Sequence, residues 1–309
     1  MIKKYDRLIG YITNMMRIQA NEAHTNKVAI GMSGGVDSAL IAILSVKEFG
    51  PENVIGLFID IQSDQIFFLR AMEMSIQFGF TVLNLNMTSE YRSLVDKAKW
   101  AFQYEGLEFP DEKDPKNKTI FGGFKSCLRA PYIRFVNRAF GGGIVQGTGN
   151  KDEDDLLRFY QKGGDGEVDA NWLGCLYKSE VWELAKYIGV PDEIINANPD
   201  HDLWGHLSGK VSTDKEELQE SVGVRLTYGR PSEEMGTIEW VSRENELTNI
   251  IVADINEDKL KEYMDNKSYT PEQRKLIVAV RKIEQMTRHK AVMPPTIPRK
   301  DIENMGLVE

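Results

Sequence analysis

KVAIGMSGGVDSAL, residues 27–40, is the stretch on which the fold turns. An apolar run, Val28-Ala29-Ile30, enters it, and an apolar helical pattern leaves it. Between them stand Gly31, Gly34 and Gly35, with Ser33, Ser38 and a single acid, Asp37. Glycine at this density weakens a helix or strand, but it allows positive φ and lets another group approach the backbone closely. A helix starting near Val36 aims its free N–H groups and the positive end of its dipole into the turn. The two hydroxyls add donors. The sum is an anion cradle suited to phosphate. The plainer alternative is a tight strand-to-helix bend that uses glycine for packing.

Outward from this turn the pattern alternates. NVIGLFID (53–60) and FTVLNLNM (80–87) read as buried strands, and GIVQGTGN (143–150) as a fourth that ends in another glycine-rich turn. Helical patterns fill 36–50, 64–79, 89–103 and 126–141, the last strained at Pro131, after a polar loop at 108–122. Strand and helix in alternation imply an α/β fold, a doubly wound and mostly parallel sheet with helices on both faces. Ligands of such sheets bind beyond the carboxyl ends of the strands. The turns at 31–38 and 147–150 lie on that rim, as do the polar strand ends Asp60 and Asn86. Farther on, 178–188 reads as a helix, 199–218 as an irregular loop, and 225–245 has no clear pattern. A late helix opens with Thr270 as N-cap and Pro271 at the first position.

Composition narrows the class. The chain has 309 residues, 41% hydrophobic and 28% charged, which reads as globular and large enough for a sizeable core. No run approaches the ~20 apolar residues that span a bilayer. The first 20 residues form an amphipathic pattern without a cleavage site, so a surface helix and a cytoplasmic setting are expected. Cys127 and Cys175 form no metal-type pair. The formal net charge of −9 removes the usual electrostatic footprint of a nucleic-acid binder, and small-molecule substrates are expected.

Two familiar phosphate loops do not fit the first turn. GHLSGKVS (205–212) has the wrong spacing for a Walker loop and no strand before it. The dinucleotide fingerprint G-x-G-x-x-G is absent from 31–38. What stands there, S-G-G-x-D-S, resembles the loop of the ATP pyrophosphatases, enzymes that cleave ATP between the α and β phosphates. That likeness implies a Rossmann-like fold of the adenine nucleotide alpha hydrolase type. Asp37 would repel phosphate unless Mg²⁺ lies between them. Its other role is to complement the helix dipole.

The motifs that follow choose within the superfamily. GTGNKDED (147–154), QKGGDGEVD (161–169), LYKSEVWELAKYIGVP (176–191), TDKEEL (213–218) and RHKAVMPPTIP (288–298) occur in that order. The series resembles the NAD synthetase family. The resemblance implies ATP-dependent adenylation of nicotinic acid adenine dinucleotide (deamido-NAD), then amidation to NAD with release of AMP and pyrophosphate. It implies that Asp37 and Glu153 hold Mg²⁺ and that Asp37, Ser38 and Lys178 are catalytic. Gly31, Ser33, Gly34, Gly35, Asp37, Ser38, Arg129, Thr148, Lys178 and Thr213 would bind ATP. Lys162, Asp165, Asp169, His289 and Lys290 would bind the dinucleotide. Plainer readings stand beside these: Glu153 in a solvated acidic run, Arg129 on a helix surface, Asp165 as a turn residue, and His289 as a helix C-cap cation. Lys178 at a helix N-terminus opposes the dipole, which favours a ligand role.

The likeness implies one domain over 1–309, a homodimer and no nucleic-acid or membrane partner. Only 26 residues precede Lys27, so ammonia is expected as nitrogen donor, free or from a separate protein. Departures fall in the substrate half. Pro131, Gly163, Glu167 and Ala291 replace residues usual in the family, and about 225–260 is an atypical insertion. They keep open an adenylating enzyme for another carboxylate or a tRNA base, or a nucleotide-binding protein without catalysis.

Overall fold

The computed structural model describes residues 2, 4–197, 224, 226–228, 236–243, 257–266 and 269–290. Four parallel strands form one sheet: β1 (Val28–Gly31), β2 (Val54–Asp60), β3 (Thr81–Asn86) and β4 (Ile144–Gln146), in the order β3-β2-β1-β4. Val28 pairs with Val54 on one side and with Ile144 on the other. The chain therefore builds outward from β1 in one direction, then crosses back to place β4 on its free side. That reversal opens a crevice at the carboxyl ends of β1 and β4, where such sheets bind ligands.

Helices cover both faces, as the alternation requires. α1 (Tyr5–Glu22), α2 (Val36–Phe49), α3 (Gln65–Phe78) and α6 (Lys178–Ile188) share one core with Val28, Ile30 and Val54. α4 (Thr88–Tyr104) and α5 (Lys118–Ala139) cover the other face, against Ala29, Ile55, Leu57 and Ile59. Alternate residues of each strand thus serve opposite cores, the period-two consequence of the pleat. The N-terminal helix lies at the surface but is part of the core, because Ile9, Ile12, Met16 and Ala20 bury one stripe of it.

α5 departs from expectation. It starts at Lys118, inside the expected polar loop, and runs through Pro131 without a break. Gly122 and Gly123 disguised its first turns. Phe121 and Phe124 anchor them in the second core, and a side chain at 123 would stand 2.9 Å from the Gln161 amide. The glycine admits the segment 160–167 against the helix.

Among the described residues four α-helices follow α6: α7 (Asp192–Ile195), α8 (Thr237–Arg243), α9 (Glu257–Asn266) and α10 (Pro271–Thr287). The expected loop at 199–218 and most of 225–256 lie outside the described residues. α10 begins as its sequence predicts. Thr270 Oγ1 accepts from Gln273 N–H at 3.2 Å, and Gln273 Oε1 accepts from Thr270 N–H at 2.8 Å. Thr270→Ala should lower stability by about 1 kcal/mol, read as a shift in denaturant midpoint. An unchanged midpoint would show that tertiary packing alone holds the helix start.

Candidate active site

The glycine turn is held from within. Ser38 Oγ donates to Gly35 O at 3.0 Å and lies 3.2 Å from Ser33 Oγ, which accepts from Gly35 N–H at 3.3 Å. Gly34 has φ +74°, a left-handed conformation. No side chain caps α2 at Gly35, so the N-terminal amides face the crevice. Ser38 itself is fully buried. It shapes the cradle rather than lining it.

Asp37 leaves the first turn of α2 toward β4 and α6. Lys178 Nζ donates to Asp37 Oδ2 at 2.6 Å and to Glu153 Oε1 at 3.0 Å. Asn150 Nδ2 donates to Asp37 Oδ1 at 3.1 Å. Lys178 is only 4% exposed, so two carboxylates and one ammonium meet away from bulk water. Burial pushes the Asp37 carboxyl above its ordinary range, and the Lys178 ammonium opposes that push. The rings of Trp182 and Tyr228 lie 5.7 and 5.2 Å from the same ammonium.

A π-helical turn, Asp152–Leu157, presents Glu153. Such turns are rare and cluster at functional sites. Asp152 accepts from Lys178 N–H at 2.9 Å and so fixes the start of α6. Burial raises the Asp152 carboxyl to about 7 and that of Asp154 also to about 7. Asn171 donates to Asp154.

These groups open into one cavity of about 580 Å³. Leu57, Ile59, Phe67 and Ile133 give it an apolar slot, with Ile133 and Phe67 close against Gly31 and Gly34. Gly31, Ser33, Gly35 and Asp37 line it with Thr148, Glu153 and Lys178. Lys162, Asp165 and Lys290 belong to the same lining. Asp165 accepts from Ser126 Oγ at 2.7 Å and from Gln161 N–H at 2.8 Å. Lys290 Nζ donates to Arg158 O at 3.0 Å, and Lys162 Nζ donates to His289 O at 3.1 Å. Burial lowers the Lys290 ammonium, with Asp165 opposing.

Similarity to known proteins agrees with this layout. A family model described as NAD synthase matches residues 8–294. The chain belongs to the NAD synthase family. An NH(3)-dependent NAD(+) synthetase from Syntrophomonas wolfei is 32% identical over 215 residues, which is 69% of this chain and 82% of that protein. One from Methanocaldococcus jannaschii is 32% identical over 251 residues, 81% of this chain and 89% of that protein. An NMN synthetase structure from Francisella tularensis superposes with TM-score 0.69 at 20% identity, covering 96% of this chain and 100% of that one. An NH3-dependent NAD synthetase from Campylobacter jejuni gives 0.63 at 19% identity, again covering 96% and 100%. At these identities the two structures show a shared fold.

In this member of the family, Asp37, Glu153 and Lys178 converge although they come from three separate motifs. Arg129 reaches the cavity wall, donating to Ile59 O at 3.1 Å and to Ser63 Oγ at 3.4 Å. Asp169 and His289 are not among the lining residues. The Asp169 carboxylate accepts from Val145 N–H at 2.8 Å and from Arg134 at 2.6 Å, so it secures the outer edge of β4. His289 contributes its carbonyl to Lys162. Thr213 lies outside the described residues. Asn150, Asp152 and Asp154 were not singled out from the sequence. Asn150 was visible as the last residue of G-T-G-N. The two aspartates read as solvent-facing members of an acidic run, but the π-turn buries Asp152 and sets a half-buried Asp154 in the cavity wall.

Proposed function

We propose that this cavity carries out the family reaction, ATP-dependent amidation of deamido-NAD to NAD with ammonia. The observation that carries the reading is the Lys178 ammonium held between Asp37 and Glu153 beside the glycine cradle. The cradle and the N-terminus of α2 suit the departing pyrophosphate, and the apolar slot suits adenine. The nicotinate carboxylate attacks the α-phosphorus of ATP, and the bond to the bridging oxygen of pyrophosphate breaks. Ammonia then attacks the acyl carbon of the adenylate, its carbon–oxygen bond to AMP breaks, and the nitrogen sheds a proton. Lys178 offsets the charge that gathers on phosphate oxygens in the first step.

The donor set also fits Mg²⁺, which takes hard oxygen ligands, often one or two carboxylates completed by substrate phosphates. Among the described residues no group of three or more His, Cys, Asp or Glu is placed to form an all-protein cage. Asp37 and Glu153 would hold the ion, which would supply neutralising charge for the phosphates.

Lys162, Asp165 and Lys290 belong in this reading to the dinucleotide part of the cavity, with His289 and Asp169 holding them from outside its lining, through the Lys162 ammonium and the edge of β4. The ties from Asp165 to Ser126 and from Lys162 to His289 support it, because they join the segment 161–167 to both walls. Asp165→Ala should raise the KM for deamido-NAD about tenfold with a smaller change in kcat; an unchanged KM counts against the assignment. Thr213 is assigned to ATP on its motif alone. Homodimerisation and a cytoplasmic setting complete the reading. The exposed Trp100, Tyr104 and Phe135 support the first, and the two free thiols suit the second. Light scattering tests the dimer.

The deciding experiment supplies ATP, Mg²⁺, ¹⁵N-ammonium and deamido-NAD, with nicotinic acid mononucleotide in parallel. Labelled NAD with one AMP and one pyrophosphate per turnover is expected. Formation of ADP, or no NAD at any ammonium level, sinks the reading. Turnover of the mononucleotide alone moves the substrate assignment.

A further inference from the structure

The segment 225–260 lies within the stretch matched by the family model but carries none of the motifs quoted from the sequence, and its described residues reach Lys178 and both of its sequence neighbours. Tyr228 places its ring 5.2 Å from Lys178 Nζ. Thr227 and Thr237 exchange backbone-to-hydroxyl bonds of 2.8 and 3.1 Å, and Ile238 N–H donates to Thr227 O at 3.2 Å. The segment 226–228 and α8 are therefore tied together. From α8, Glu239 accepts from Ser179 Oγ at 2.6 Å and from Arg243 Nε at 2.6 Å. Arg243 also donates to Glu180 Oε1 at 3.3 Å, with its guanidinium 4.3 Å from the Tyr177 ring. Tyr177, Ser179 and Glu180 flank Lys178 on both sides, and α8 grips all three.

Glu239 is 3% exposed. Next to it Ile238 and Val241 already dock α8 against Leu157, Leu276 and Val280. An apolar residue would hold a helix there at least as well, since burying a carboxylate costs free energy that its partners only offset. What the carboxylate adds is direction. It bonds one hydroxyl in the first turn of α6 and orients the arginine that bonds another residue of that turn. We infer that Glu239 is a positioning residue, acting through Ser179 and Arg243 to fix the first turn of α6 and hold the Lys178 ammonium between Asp37 and Glu153. The inference rests on the role given to Lys178 in the amidation reading.

Ser179→Ala, Ser179→Thr, Glu239→Gln and the S179A/E239Q pair test it. The alanine and glutamine variants should each lose about ten- to a hundredfold in kcat, because small misplacement of a catalytic group is costly. The KM for ATP should stay near wild type. Ser179→Thr keeps the hydroxyl and should keep kcat, and the double variant should match the worse single one. A readout that needs no substrate accompanies these: labelling of Lys178 by an amine reagent, scored by mass spectrometry against the exposed Lys186 of the same helix. Labelling should rise several-fold in S179A and E239Q. Unchanged Lys178 labelling, or losses that simply add in the double variant, overturns the inference. Wild type that labels as expected but makes no NAD counts against the amidation reading instead.

Discussion

Lys178→Met should lower kcat/KM by about a thousandfold, the upper range for loss of one preorganised charge contact in a transition state. The ammonium sits 2.6 Å from Asp37 and 3.0 Å from Glu153, almost sealed from water. Methionine keeps much of the length and leaves two carboxylates without their cation. Breaking a buried pair in this way costs about 3–5 kcal/mol of stability. The pH dependence has a definite sign. Burial already raises the Asp37 carboxyl, and losing the ammonium raises it further. The folded variant then binds protons that the unfolded chain releases, so its stability falls as pH rises. The deficit should be larger at pH 8 than at pH 5. Activity within tenfold of wild type, or a deficit that shrinks with rising pH, would remove Lys178 from the chemistry. Lys178→Arg is not a silent control, since a planar fork does not replace a point charge between two carboxylates.

Gly34→Ala should be nearly as severe, by a different route. At φ +74° an alanine carries about 1–2 kcal/mol of conformational strain. Its Cβ would also stand 2.6 Å from Phe67 O and 2.9 Å from Phe67 Cα. These are backbone atoms in the first turn of α3, so no side chain can swing aside. Either α3 or the cradle must move, and a shift of about 1 Å in a positioned loop costs about a hundredfold in rate. Gly142 is the control. Its φ is +76°, but nothing lies within 4 Å of the added carbon. Gly142→Ala should show the conformational strain alone and retain activity. ATP titration and thermal melts of the two variants decide the matter. Equal behaviour would mean that contact with Phe67 does not set the loop.

The alternation of strands and helices and the glycine cradle were legible in the sequence because each is local, and the alternation in turn implies a parallel sheet. Strand burial, helix caps at Thr270 and Pro271, and positive-φ glycines depend on residues a few positions apart. Site membership was partly legible, through ordered motifs that resemble a family. α5 was misplaced at its start because Gly122 and Gly123 hide a helix whose reason to form is packing by Phe121 and Phe124. Asp152 and Asp154 were unreadable because a π-turn, which no spacing announces, turns an acidic run inward.

By itself the sequence determined that this chain builds a phosphate cradle after its first strand and carries a lysine at the head of a later helix. Only the tertiary structure decided that the two meet. Asp37 and Lys178 stand 141 residues apart, and their contact exists because β4 crosses back to lie beside β1. That strand order follows from which faces can be buried together. Pairing of faces is a property of the whole packed chain and is written in no single stretch of it.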